Sequence, residues 1–287
     1  MPSTNPNNTA GALPDHQVRA LIRLLGDESE YVAETVRAEI LALGERAVPY
    51  LQEVVKSGPA QIQEAVHTLL DDIGNDEALR QFETFSNGPT DLEEGAFLLA
   101  RVLYPQLDTA AYQHQLDQMA DTLRLRLNNH TDPEAVMAIM HPYLFEELGF
   151  KGNTTDYGNP ENSYINRVLD LRLGIPISLS ALYLFLARRL NLPVMGVGLP
   201  GHFLLSYRTE ARTFLIDPFN KGNLLTREMC IEFVTRNGRV WQEDFLSATA
   251  DRDILARMIR NLIGSYTGLD DTRLAERMAG YLKHLIH

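Results

Sequence analysis

The chain has 287 residues, 45% of them apolar, with 26 Lys plus Arg against 38 Asp plus Glu and a formal net charge of −12. That length buries a full core in one large or two modest domains. The negative charge repels phosphate backbones and anionic membranes, which argues against nucleic acid or a membrane surface as a general partner. A single cysteine, Cys230, allows neither an intramolecular disulfide nor a cysteine zinc cage, and it suits a reducing cytoplasm.

Residues 1–14, "MPSTNPNNTAGALP", are polar and lack the charged-then-apolar order of a signal peptide. They are expected to form a disordered lead. No apolar run approaches the roughly 20 residues that span a bilayer.

From residue 15 to 86 the period is helical. Asp15 is placed to cap a first helix with Val18, Leu21, Ile22 and Leu25 on one face and Gly26 as its stop. A second helix turns Val32, Val36, Ile40 and Leu43 inward and ends at Gly44. A third, with Pro49 near its start, turns in Val48, Leu51 and Val55 and ends at Gly58. Pro59 opens a fourth, whose stripe of Ile62, Val66, Leu69 and Ile73 is expected to end at Gly74. Residues 27–56 resemble a degenerate HEAT-type repeat. Such a pair cannot bury its faces alone and must stack on something. Two readings follow: a helical cover for the rest of the chain, favoured because an independent array usually needs three repeats, or a docking surface for a partner.

The second stretch, 87–235, opens on Thr90-Asp91-Leu92-Glu93, a capping-box pattern. Glu93 and Glu94 resemble a catalytic carboxylate pair, but acids in a first turn are favoured by the helix dipole alone. Asp108 starts a helix with Leu116, Met119, Leu123 and Leu127 on one stripe. Asp132-Pro133 starts another, with a kink expected at Pro142. His130 and His141 lie near helix ends with no partner at metal-ligand spacing, and both read as structural or exposed. Asn159 can cap a helix that has Pro160 in its first turn and Gly174 as its end. Pro176 then opens "ISLSALYLFLARRL", apolar nearly all round and so central and buried. Three short apolar strands follow at 193–199, 202–207 and 213–219, the last two joined by a polar turn as in an antiparallel hairpin. Residues 236–287 return to helix and end in a hairpin resembling a tetratricopeptide repeat. The order gives an α+β class, mostly helical, with a small antiparallel sheet packed on one central helix.

The chemistry concentrates on three positions. Ser178 lies in the first turn of the central helix, where free N–H groups favour a developing oxyanion. His202 opens a strand after "LPG", and Asp217 ends the next strand. Their spacing suits adjacent antiparallel strands, where a carboxylate orients an imidazole. Asn162 is a candidate oxyanion donor or a helix-start organiser. Ser180 points elsewhere and is the weaker nucleophile. Tyr157 and Phe203 line either a cleft or the core.

Nucleophile, His and Asp in that order, on helix, strand and strand, resemble the transglutaminase-like, papain-like superfamily. The blocks "NPENSYINRVLDLRLGIPISLSALYLFLARRLNLP", "VGLPGHFLLSY" and "FLIDPFNKG" resemble in particular the bacterial SirB family, whose core also occurs inside a eukaryotic F-box protein. "DLEEGAFLLARVLYPQLD" and the terminal helical hairpin are similar to that family's flanks, so the match covers about residues 90–285. The resemblance implies a central-helix cysteine nucleophile, but this chain has Ser178 there. Cys230 falls after the sheet and reads as a core thiol. Two functions stay open. One is a non-catalytic scaffold or regulator that binds a protein or peptide, without cofactor or metal. The other is a serine-dependent acyl-transfer enzyme using Ser178, His202 and Asp217.

Overall fold

The computed structural model describes residues 13–286, so the expected lead lies outside the described residues up to residue 12. Two units divide at Arg80/Gln81. In the first, helices α1 (Asp15–Arg23), α2 (Glu30–Leu43) and α3 (Val48–Ser57) precede α4 (Ala60–Ser86). Val18, Ile22, Val36, Ile40, Leu51, Ile62, Val66, Leu69 and Ile73 bury one another in a single cluster. The 3.6-residue spacing read from the sequence is the cause: each helix brings one apolar stripe to a common centre.

Two local expectations change here. Pro14, not Asp15, is the N-cap of α1, and Asp15 is its first helical residue. Gly74 does not stop α4, which runs on to Ser86. A glycine ends a helix by adopting positive φ. Gly74 keeps helical geometry instead, because the stripe resumes at Phe82, which is 1% exposed.

The second unit contains α5 (Leu92–Leu103), α6 (Thr109–Leu127) and α7 (Pro133–His141). Asp91 caps α5 by accepting from the Glu94 N–H, so the cap sits one residue later than the Thr90 pattern suggested. At Pro142, where a kink was expected, the regular α-helix ends. It widens into a π-turn over Pro142–Glu147, because proline offers no N–H to continue the four-residue ladder. Strand β1 (Lys151–Gly152), helix α8 (Ile165–Leu171) and strand β2 (Leu173–Gly174) follow. α8 ends at Arg172, which takes a left-handed φ of 61°. The expected stop, Gly174, instead pairs in parallel with Gly152.

Helix α9 (Pro176–Arg189) is the expected central rod, buried without a break from Pro176 to Ala187. Next come β3 (Val194–Leu199), β4 (His202–Arg208) and β5 (Thr213–Asp217), the antiparallel strands read from the sequence. Two short additions, β6 (Asn223–Leu225) and β7 (Ala248–Thr249), complete a five-stranded sheet of order β6-β5-β4-β3-β7. Helix α10 (Arg227–Arg236) covers one face with Cys230 and Val234, packed on Val197, Leu199, Leu204 and Leu215. Phe203, Leu205 and Tyr207 alternate to the other face, the side of α9 and of α11 (Asp251–Gly268). α12 (Thr272–Ile286) closes a hairpin with α11.

Behind the sheet, His141 lies between Phe145 and Tyr183, with ring centroids 5.8 and 5.9 Å away, and its Nε2 is 3.3 Å from the Tyr183 hydroxyl. A Cβ on Gly222, which has φ +78°, would come within 2.6 Å of the imidazole, so glycine is required there twice over. Burial lowers the His141 pKa to about 4. Of the two readings left by the sequence, structural or exposed, this packing against Phe145, Tyr183 and Gly222 fits the first.

Two measurements follow. Gly74→Ala, at an exposed helical position with open space where the Cβ goes, should raise stability by about 1 kcal/mol in urea or thermal unfolding. His141 is neutral when folded, while the unfolded chain takes up a proton below pH 6.5. Its contribution is therefore full above pH 6.5 and falls away towards pH 4, by up to about 3 kcal/mol. His141→Gln should flatten that limb of the stability curve, and an unchanged slope would refute the assignment.

Candidate functional site

The strand register brings His202 and Asp217 together. β4 and β5 pair Leu205 with Ile216 and Ser206 with Leu215. One step further, Leu204 stands opposite Asp217, and His202 lies diagonally across on the same face. The contact is made: His202 Nε2 to Asp217 Oδ2 is 2.8 Å, with side chains 12% and 4% exposed. Nε2 therefore carries the proton and donates it to the carboxylate, which leaves Nδ1 without a partner among the described residues. Asn220 supports the pair from the turn after β5. Its side-chain amide donates to Asp217 Oδ2 at 2.8 Å and its backbone N–H to Oδ1 at 3.3 Å. Burial raises the Asp217 pKa, but the His202 bond and charge and the two Asn220 bonds outweigh it, so the carboxyl lies below its usual value.

Aromatic rings surround the imidazole. Phe233 of α10 lies at 5.5 Å and Phe219 at 6.4 Å, and Tyr157 meets Phe219 edge-on at 5.9 Å. Phe219 seats against Gly152, where any Cβ would strike its ring. The thiol of Cys230 is buried on the same face, and burial with the Asp217 charge raises its pKa, which keeps it protonated.

Ser178 stands in a different setting. Its side chain is wholly buried. The hydroxyl accepts from the Ile175 N–H at 3.0 Å and donates to the Asn162 carbonyl at 2.5 Å. It thus performs the third-position half of a capping box, where Ile175 at the N-cap has no side-chain acceptor of its own. Gly174 makes room, since a Cβ there would lie 2.8 Å from Ser178 Oγ. No hydrogen bond joins Ser178 to His202. Ser180 is also fully buried, and its hydroxyl has no hydrogen-bond partner.

Asn162 has both side-chain N–H groups committed, to the carbonyls of Asp156 and Tyr157, and its Oδ1 accepts from Asn153. It ties down the 153–159 loop. Phe203 is core and lies under the guanidinium of Arg257, whereas Tyr157 is half exposed. Glu93 is spent on Arg189, at 2.9 Å, and Arg189 also bonds Asp117.

Two contributors had little or no sequence signal. Asn220, three residues after Asp217, is readable as an Asx-type turn. Arg257 lies far along the chain. Its Nη2 donates to the carbonyls of Leu199 and His202, both at 2.7 Å, and holds the turn that presents His202. Among the described residues, no group of three His, Cys, Asp or Glu side chains is placed to hold a metal ion, and no helix is long and apolar enough to cross a membrane.

Helix α9 packs on the sheet whose strands β4 and β5 carry the His202–Asp217 pair. A family model described as "Transglutaminase-like superfamily" matches residues 110–260, and the chain belongs to that superfamily. It also belongs among the UPF0162 proteins. A UPF0162 protein of Xylella fastidiosa is 36% identical over 197 residues, 67% of this chain and 70% of the relative. One from Vibrio cholerae is 31% identical over 131 residues, 45% of this chain and 48% of its own. Human F-box only protein 21 is 37% identical over 147 residues, 48% of this chain but 23% of its own length. No solved structure matches.

Ser178→Ala should destabilise the protein by about 1 kcal/mol, because it removes the hydroxyl that bridges the Ile175 N–H and the Asn162 carbonyl and leaves them only their long bond to each other, at 3.4 Å. Chemical denaturation measures it; a loss below about 0.5 kcal/mol would contradict the capping role. Asp217→Asn should weaken the fold near neutral pH and narrow that deficit on acidification. The wild-type advantage is present above pH 3.8 and disappears as Asp217 protonates below it.

Proposed function

We propose that this chain is a non-catalytic, protein-binding member of the transglutaminase-like superfamily, of the SirB type. One observation carries the reading: the candidate nucleophile Ser178 is sealed from solvent, with its hydroxyl both donating and accepting a hydrogen bond. A serine nucleophile needs a base in direct contact to take its proton. Here the hydroxyl donates to a backbone carbonyl, and turning it out would leave the Asn162 carbonyl and the Ile175 N–H only their long bond to each other, a loss of about 1 kcal/mol. On this reading the His202–Asp217 pair fastens the hairpin. The HEAT-like and tetratricopeptide-like flanks supply partner surfaces, and the partner is a protein or peptide in a reducing cytoplasm. The relative in which a similar core makes up 23% of a longer human protein suits a module that is built into larger chains.

A second reading has its own support. The chain Asn220–Asp217–His202 orients an imidazole as a general base requires, with Nδ1 free. Serine-dependent acyl transfer through Ser178, His202 and Asp217 would need Ser178 to turn out of its cap. Asn162 would serve as oxyanion donor only after giving up its bonds to the loop.

Treatment of the full-length protein with a fluorophosphonate serine probe separates the two. The expected result is no covalent label by intact-mass spectrometry. Stoichiometric labelling that disappears in Ser178→Ala would replace the first reading with the second.

A further inference from the structure

We infer that the strip of rings around His202 binds an arginine side chain of a protein partner, whose guanidinium donates a hydrogen bond to His202 Nδ1. This rests on the binding reading above and adds to it a surface in the core, with its chemistry.

Three parts of the chain build the strip. Tyr157 meets Phe219 edge-on at 5.9 Å, and Phe219 meets the imidazole edge-on at 6.4 Å. Phe233 of α10 lies 5.5 Å from the imidazole. Met229 stands one turn before Phe233, on the same side of α10. Tyr157, Met229 and Phe233 are each more than a third exposed. A run of open aromatic and thioether surface with a polar atom set into it is the composition of a contact site.

That polar atom is unspent. Nε2 is committed to Asp217, and Nδ1 has no partner among the described residues. Nδ1 is not one of the buried side-chain atoms that lack a partner, so it belongs to the part of the ring that water reaches. With its proton held on Nε2, the imidazole offers Nδ1 as an acceptor only. A purely apolar occupant would cover this lone pair and leave it unpaired. The occupant therefore brings an N–H or O–H donor.

Charge selects among donors. Asp217 is ionised directly behind the ring, held by His202 and Asn220, and no Lys or Arg pairs with it. Cys230, three residues before Phe233, feels the negative charges of Asp217 and Glu228. The arginines nearest in the fold are committed: Arg257 to the carbonyls of Leu199 and His202, and Arg227 to Glu243. Lys221, next to Asn220, is exposed, where water and salt screen its charge. Ring faces add a preference for a cation over a neutral amide. Between the two cationic side chains, partial closure favours arginine. Its planar guanidinium is more weakly hydrated than an ammonium, and it stacks on a ring while directing N–H groups along its own plane. The chain makes such stacks itself, with Arg172 over Phe150 at 4.6 Å and Arg126 over Tyr143 at 4.7 Å.

The test uses the full-length protein with isotope-labelled histidine and follows the His202 ring nitrogens by NMR. The His202 signals are assigned from the spectrum of His202→Gln. The probe is an acetylated and amidated peptide with one arginine among glycines, set against the same peptide carrying lysine, citrulline or leucine. Citrulline keeps the shape and the donors but loses the charge. The expected result is a saturable shift of His202 Nδ1 with the arginine peptide, at an affinity at least about fivefold above the other three. Phe233→Ala should weaken that binding about fivefold or more, and a thermal melt shows that the variant is folded. No saturable shift, equal or tighter binding of any of the other peptides, or undiminished binding by folded Phe233→Ala each overturns the inference. The serine probe reads Ser178, which is sealed in its cap. An unlabelled protein that binds no peptide therefore loses this strip and keeps the non-catalytic reading, whereas labelling removes that reading whatever the peptides do.

Discussion

The fold depends on one constraint: a helix that is apolar all round must be covered all round. α9 is buried from Pro176 to Ala187, so sheet, α11 and the helices before it take their places by covering its faces. Such a rod has no polar stripe to fix its rotation or its start. The polar work falls to its first turn. Ser178 joins that turn to the Asn162 carbonyl, and the close approach at Gly174 lets the chain enter beside it. Ser178, the candidate nucleophile read from the sequence, is in the structure the residue that locates the helix's first turn.

The His202–Asp217 pair belongs to a second system. It arises from the β4–β5 register, is steadied by Asn220, and shares its sheet face with Cys230 and Val234 under α10. Arg257 ties this system to the C-terminal hairpin by holding the turn before β4. A single Nη2 satisfies both carbonyls, and the ring of Phe203 lies beneath the guanidinium, so the brace is fixed from two sides.

Periodicity made much of this legible. The stripes of α1–α4 and α6, the buried α9 and the three main strands all stand where 3.6- and 2-residue patterns put them, since burial selects those patterns directly. Glycine was the weaker guide. Gly74 and Gly174 look like helix stops, yet one continues a helix and the other pairs in a strand, because a glycine's φ is set by what packs around it. β6 and β7 were too short to show a period. For the candidate site, the nearness of His202 and Asp217 follows from strand spacing. The bond from Ser178 to the Asn162 carbonyl, and the reach of Arg257 to Leu199, are contacts across 16 and 58 residues that no local pattern encodes.

The division of the chain shows how the tail is attached. The region matched to the superfamily ends at residue 260, inside α11, so the helix that carries Arg257 in the matched core runs on as half of the terminal hairpin with α12. The brace from Arg257 to the carbonyls of Leu199 and His202 lies on the core's side of that join. One continuous helix therefore serves both parts: its first half fixes the turn before β4, and its second half is a face for α12.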